Sequence, residues 1–338
     1  MKRKCRIAIA MGALLLALSP VAAHAYSTLY VFGDSLSDAG NVFLATTAPG
    51  SPFPPQPAAP YANGQYSNGP IWVEDLAASL GLGPVLPSLA GGTDFAFGGA
   101  TTGYTATLSP TVPVPTLTQQ VGLFLAAVSG LAPRSALYSV WIGSNDVFNI
   151  ISGGATGSTA LLEAQGAART EASAIAALAA AGATNFLVPL VGDLGITPTL
   201  TALGAPVAAA GTALAAAYDT ALQTDLASLA PTPGIDLSFL NTFALLDGVV
   251  ATPGAYGFTD VTNPCYVGPY TGGGSVCPDP AKYLFWDALH PTAAGQAAIA
   301  HAALNAVPEP GTMALLGAAL AGIATLRRRS GSKRVKPA

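Results

Sequence analysis

The sequence predicts an α/β domain with a five-stranded, mostly parallel sheet covered by helices on both faces. Two observations carry that expectation. Short apolar, β-branched segments at residues 29–32, 94–97, 136–142, 185–191 and 235–240 read as buried strands. They alternate with longer Ala-rich or amphipathic stretches at 71–80, 117–128, 159–181, 206–229 and 293–306, whose apolar spacing is helical. Alternation of this kind needs crossover connections, which lay the strands parallel and put helices on both faces, giving a three-layer α/β/α sandwich. Ligands bind such sheets beyond the carboxyl ends of their strands.

The first strand, Leu29-Tyr30-Val31-Phe32, stops at Gly33, and the polar cluster Asp34, Ser35, Ser37, Asp38 follows at the predicted ligand edge. Two Pro- and Gly-rich segments, 46–70 and 101–116, follow the first two strands; too irregular for core elements, they are expected to wall the substrate entrance. In the Ala-rich helix at 206–229, Tyr218, Leu222, Leu226 and Leu229 share one stripe, a packing surface. No internal repeat interrupts residues 26–306, read as one domain.

Both ends read as processing segments. Residues 1–25 combine a basic start, an apolar run at 7–18 and the small-residue pattern Ala23-His24-Ala25, the marks of a secretory signal cut before Tyr26 by signal peptidase. Residues 307–338 hold an uncharged apolar run at 312–326, about 22 Å long if helical and so a marginal membrane span. Arg327, Arg328 and Arg329 close it on the side that stays cytoplasmic. Pro308-Glu309-Pro310 with the apolar run and the arginines resembles the PEP-CTERM sorting signal of Gram-negative bacteria. That resemblance implies an exosortase partner, transient inner-membrane anchoring, and delivery to the cell surface or extracellular matrix.

Between these ends only Arg134, Arg169 and Lys282 are basic against sixteen Asp and Glu, a formal charge of −13 that the −4 of the whole chain conceals. Such a body repels nucleic acid and anionic lipid, and suits neutral esters or uncharged glycans. Cys5 falls in the signal, so Cys265 and Cys277 form the one remaining pair, predicted to be a disulfide in an oxidising compartment. With so few cysteines and histidines a metal site is not expected.

A serine hydroxyl becomes a nucleophile when an imidazole takes its proton, a carboxylate fixes the imidazole tautomer and preorganised donors receive the developing oxyanion. Ser35 is the nucleophile candidate, although Gly-Asp-Ser is by itself also an ordinary turn. "LFWDALHPT" adds Asp287 and His290, three residues apart, so that in a helical turn or compact loop the carboxylate can hold the Nδ1 proton. His301 lies within the last Ala-rich helix and reads as a helix-face residue. Gly-x-Ser-x-Gly occurs nowhere, which argues against an α/β-hydrolase elbow.

"FGDSLSDAGN", "DFAFGGAT", "VWIGSNDV" and "DALHP" resemble, in order, the four motif blocks of the GDSL esterases and lipases in the SGNH hydrolase superfamily. The resemblance spans nearly all of the domain and implies a flavodoxin-like sandwich and ester hydrolysis without a cofactor. It also implies a catalytic set of Ser35, His290 and Asp287, with an oxyanion hole of the Ser35 and Gly99 backbone N–H groups and the Asn145 side-chain amide. Asp94 stands where the family commonly has Asn, and the choice of Gly99 over Gly98 follows the neighbouring Ala-Thr. Asp38, Asn41 and Asp146 belong to the motifs, but turn and strand-end hydrogen bonding explains them as well as catalysis does. The function implied is an exported serine esterase or lipase acting through an acyl-enzyme. Alternatives are an O-acetyl esterase of matrix polysaccharide and a non-catalytic surface protein.

Overall fold

A computed structural model of the chain describes residues 26–105, 112–229 and 231–307. The expected signal, 1–25, and the tail beyond Val307 lie outside the described residues. From the N-terminal side run β1 (Leu29–Gly33), α1 (Asn41–Thr47), α2 (Trp72–Ser79), α3 (Leu117–Ala127), β2 (Leu137–Trp141) and α4 (Ser144–Ser152). Then come α5 (Gly157–Ala180), β3 (Asn185–Pro189), α6 (Pro198–Ala202), α7 (Ala205–Leu226), β4 (Asp236–Leu240) and α8 (Thr242–Ala251). Four short strands follow, β5 (Asp260–Pro264), β6 (Tyr266–Val267), β7 (Ser275–Val276) and β8 (Tyr283–Phe285), before the closing helix α9 (Ala293–Ala306).

The central sheet has the order β1-β2-β3-β4, and every neighbouring pair is parallel. Burial on both faces explains why these strands read as continuous apolar runs. Phe32, Tyr138, Val140, Phe186 and Val188 enter one core with α3, α5 and α7. From the opposite face Trp141 meets Trp72 of α2, ring centroids 5.4 Å apart, and α9 packs beside α2. Tyr218, Leu222 and Leu226 are buried, and Leu229 packs against the same core, as the sequence stripe predicts.

The expected fifth strand at 94–97 is not a regular strand. It runs parallel to β1 along its outer edge, through bonds from Val31 N to Thr93 O, Phe95 N to Val31 O and Phe97 N to Gly33 O (3.1, 2.8 and 3.2 Å). These bonds to β1 are made, but on the far edge the Asp94 side chain caps Ala96 N at 2.8 Å. The chain then turns at Gly98-Gly99, closed by Ala100 N to Phe97 O at 3.0 Å, so the pairing ends before a regular strand is built. Four regular strands and one irregular edge segment therefore form the sheet.

The short helices α1, α4, α6 and α8 were not expected from the pattern, since five to ten residues hold too few turns for a periodicity to show. The pairs β5–β8 (parallel) and β6–β7 (antiparallel) also escaped it. Among the described residues no helix is long and apolar enough to cross a membrane; the run at 312–326 lies outside them.

Candidate active site

β1 delivers Ser35 to the carboxyl edge of the sheet. Its last residue, Gly33, is held at both backbone groups by Gln120 of α3, whose Oε1 accepts from Gly33 N (2.9 Å) and whose Nε2 donates to Gly33 O (2.8 Å). A Cβ on Gly33 would lie 2.3 Å from Trp141 O, so only glycine lets β1 and β2 close at this point. Asp34 then forms the turn, accepting from Leu36 N at 3.0 Å.

Asp287 and His290 sit on a tight turn after β8, closed by a 2.7 Å bond from Trp286 N to His290 O. Asp287 Oδ1 accepts from Leu289 N (2.8 Å) and His290 N (2.7 Å), which fixes the carboxylate plane. Its Oδ2 lies 2.7 Å from His290 Nδ1, and His290 Nε2 lies 2.7 Å from Ser35 Oγ. With the Nδ1 proton held by the carboxylate, Nε2 accepts from the serine hydroxyl. Burial opposes ionisation of Asp287, but the His290 ring and the surrounding donors hold its carboxyl below the usual range.

Ser35, Gly99, Asn145 and His290 line one cavity of about 730 Å³. Gly99 takes a left-handed φ of +83°, which glycine adopts without strain. The neighbouring Gly98 N–H is committed to Asp38 Oδ2 at 2.8 Å, which favours Gly99 for the oxyanion. Asn145 opens α4, and Ala100 O holds one of its two N–H groups at 2.9 Å. The amide also lies 3.5 Å from Asp34 Oδ2, too long for a strong bond.

Other motif residues are scaffold. Asp38 gathers the N–H groups of Gly40, Asn41, Val42 and Gly98, tying the nucleophile turn to the glycine turn. Asn41 donates to Asp94 O and Ala96 O, both at 2.9 Å. Asp146 accepts from Thr102 N, Thr102 Oγ1 and Thr105 Oγ1. Asp94, the departure from the family pattern, accepts from Ala39 N through Oδ2 (2.6 Å) and from Ala96 N through Oδ1 (2.8 Å), two acceptors where an asparagine has one.

One residue escaped sequence reasoning. Tyr61 Oη donates to Asp287 Oδ2 at 2.7 Å. Its only signal was its place in the Pro-rich segment expected to wall the entrance, which also brings Gln56 and Tyr66 to the cavity. Tyr61 is held in turn by Tyr266 (centroids 5.3 Å), which stacks on Trp286 at 5.5 Å.

Tyr266 follows Cys265, which is disulfide-bonded to Cys277. Cys265 N and Tyr266 N donate to Phe285 O and Trp286 O (3.0 and 2.5 Å), so the bridged loop is laced to the strand that leads into Asp287. Closing a loop of this size contributes about 3 kcal/mol in the chain-entropy model. Reduction is expected to lower turnover several-fold at temperatures where far-UV circular dichroism still reports a folded domain. Loss of activity only at the unfolding transition would contradict this.

The buried acids make stability depend on pH. Burial pushes Asp34 up to about 7 and Asp219 up to about 8, and raises Asp38, Asp94 and Glu171 as well. The unfolded chain releases these protons near pH 4, whereas the folded protein keeps them until the raised values are passed. Their contribution is therefore full below about pH 4 and is lost progressively as pH rises from there through the raised values of about 6 to 8. Asp287 acts in the opposite sense, losing its contribution only as pH falls through its depressed value. The melting temperature is expected to be higher at pH 5 than at pH 8, by several degrees in a thermal scan; a rise towards pH 8 would contradict it.

The model of the GDSL-like lipase/acylhydrolase family matches residues 29–303. The chain belongs to this family. The parallel α/β sheet with helices on both faces is the frame on which the family's motif residues stand here. A second match, the PEP-CTERM protein-sorting motif, covers residues 306–329. The chain is 35% identical to "Lipase 1" of Photorhabdus luminescens over 56% of its own length and 26% of the relative's. It is 33% identical to a protein of the trpE-trpG intergenic region of Pseudomonas putida over 92% of itself and 53% of that relative. It is 29% identical to "Esterase EstA" of Pseudomonas aeruginosa over 89% of itself and 50% of that chain. The GDSL chain thus spans about a quarter to a half of these relatives.

Proposed function

We propose that this GDSL hydrolase is an exported serine esterase that cleaves carboxylic esters through an acyl-enzyme on Ser35. The observation that carries the reading is the unbroken relay Asp287–His290–Ser35, with both links at 2.7 Å. Ser35 Oγ attacks the ester carbonyl as His290 Nε2 takes its proton. The N–H groups of Ser35 and Gly99 and the second amide hydrogen of Asn145 receive the oxyanion. His290 then gives the proton to the leaving alkoxide, the carbonyl re-forms and the acyl group stays on Ser35. Water attacks this ester with the same imidazole as base, releasing the carboxylic acid and restoring the serine.

Export is supported by the PEP-CTERM motif, which fits exosortase processing and sorting to the cell surface, and by the signal-like character of residues 1–25. The catalytic reading is tested with a fluorophosphonate probe. One equivalent is expected to bond to the Ser35 peptide, identified by mass spectrometry, while hydrolysis of p-nitrophenyl butanoate stops in step. Labelling elsewhere, or full turnover after Ser35 is labelled, would overturn it.

A further inference from the structure

The cavity at Ser35 has two chemically different sides. Beside His290 stand the rings of Tyr66 and Tyr270, with centroids 5.1 and 6.0 Å from the imidazole. The leaving alcohol must receive its proton from His290, so it occupies this side. From the oxyanion donor Asn145 runs α4, on which Asn145, Phe148 and Ile151 recur every three residues and so share one face of the cavity. Leu200, Leu203 and Val207 line the same cavity. The hydroxyls here are satisfied within the protein: Ser152 Oγ donates to Phe148 O at 2.8 Å and Thr199 Oγ1 to Ala288 O at 2.9 Å. Both hydroxyl protons are thus spent within the protein, and the rest of this lining, Phe148, Ile151, Leu200, Leu203 and Val207, is carbon.

Ile151 and Val207 also line a second cavity of about 460 Å³, so these two side chains are all the lining the two spaces share. Apart from Thr156 its other walls are small or aliphatic, among them Gly154, Ala160, Ala210, Ala213 and Leu214, from the turn after α4 and from α5 and α7. Six residues of helix separate Asn145 from Ile151, about 9 Å at 1.5 Å per residue. An extended chain advances roughly 1.2 Å per bond, so about eight carbons reach from the oxyanion donors to Ile151.

We propose that the second cavity is a distal acyl subsite, and that the substrates are esters of long-chain fatty acids whose carbons beyond about the eighth pass between Ile151 and Val207. This assignment rests on the serine-esterase reading and adds its substrate class. An acetylated glycan would leave both apolar spaces without a role.

The test measures p-nitrophenyl butanoate, octanoate, dodecanoate and hexadecanoate hydrolysis by the full chain, by Val207→Trp and by Ala210→Phe. In the parent, kcat/KM is expected to rise at least tenfold from butanoate to dodecanoate. Each variant is expected to lower the dodecanoate-to-butanoate ratio at least tenfold. Calorimetric titration of dodecanoate, below its micellar concentration, into Ser35→Ala reads the subsite without turnover; either variant in that background should weaken binding at least tenfold. A parent preference for butanoate, or a ratio unchanged in both variants, overturns the subsite and leaves the hydrolase intact. Dodecanoate binding weakened by the variants, with no ester cleaved, sustains the subsite and overturns the hydrolase reading.

Discussion

Ser35→Ala lowers kcat for p-nitrophenyl esters by about a millionfold, the loss expected when one member of a serine relay is removed. The methyl group has no lone pair to attack the carbonyl and no proton for His290 Nε2, which lies 2.7 Å from Oγ. The residual rate is that of water in a site whose oxyanion donors persist. Stability should change little, because the turn at position 35 is set by the Asp34 bond to Leu36 and by Gln120 on Gly33, not by the serine hydroxyl. Steady-state kinetics with a parallel thermal melt decides the matter. A residual rate within a hundredfold of the parent, with the fold intact, would show that another group is the nucleophile.

Asp287→Asn is expected to lower kcat about ten-thousandfold while leaving the turn in place. Oδ1 accepts from two backbone N–H groups, Leu289 and His290, so the amide oxygen of an asparagine must take that side. Its NH₂ then faces His290 Nδ1 and drives the ring into the tautomer with the proton on Nε2. That nitrogen now donates towards Ser35 and cannot serve as its base. Tyr61→Phe is the graded comparison. It removes one donor to a carboxylate, about 1.5 kcal/mol for a charge-assisted bond and hence about tenfold in rate. Tyr61 is among the groups that hold the Asp287 carboxyl below its ordinary range, so its loss should raise that value. An unchanged rate in Tyr61→Phe, whose ring still packs on Tyr266, would place Tyr61 in packing alone.

Much of the site was legible because chemistry confined to short motifs survives in one dimension. Ser35 follows an apolar run at a glycine, and Asp287 and His290 are three apart in a segment with few other ionisable groups. Asn145 was found through its motif, but its place at the first turn of α4 was not, since a nine-residue helix shows little periodicity. Tyr61 was illegible for another reason: it is 226 residues from Asp287, and nothing local marks a tyrosine that will reach a distant carboxylate. The preference for Gly99 over Gly98 also needed space to argue, since it turns on Asp38 holding the Gly98 N–H.

Legible in the sequence were the alternation of strands and helices, the parallel sheet, the candidate residues Ser35, Asp287 and His290, and the pairing of Cys265 with Cys277, because each follows from periodicity, residue type or a count of two. Tertiary structure decided what depends on distance between remote segments. It ended the strand at 94–97 early at the turn through Gly98 and Gly99, set Tyr61 on Asp287, and gave two apolar cavities that share Ile151 and Val207 as lining. Those features arise from packing at ångström tolerance, where one side chain's reach or one missing Cβ chooses the outcome.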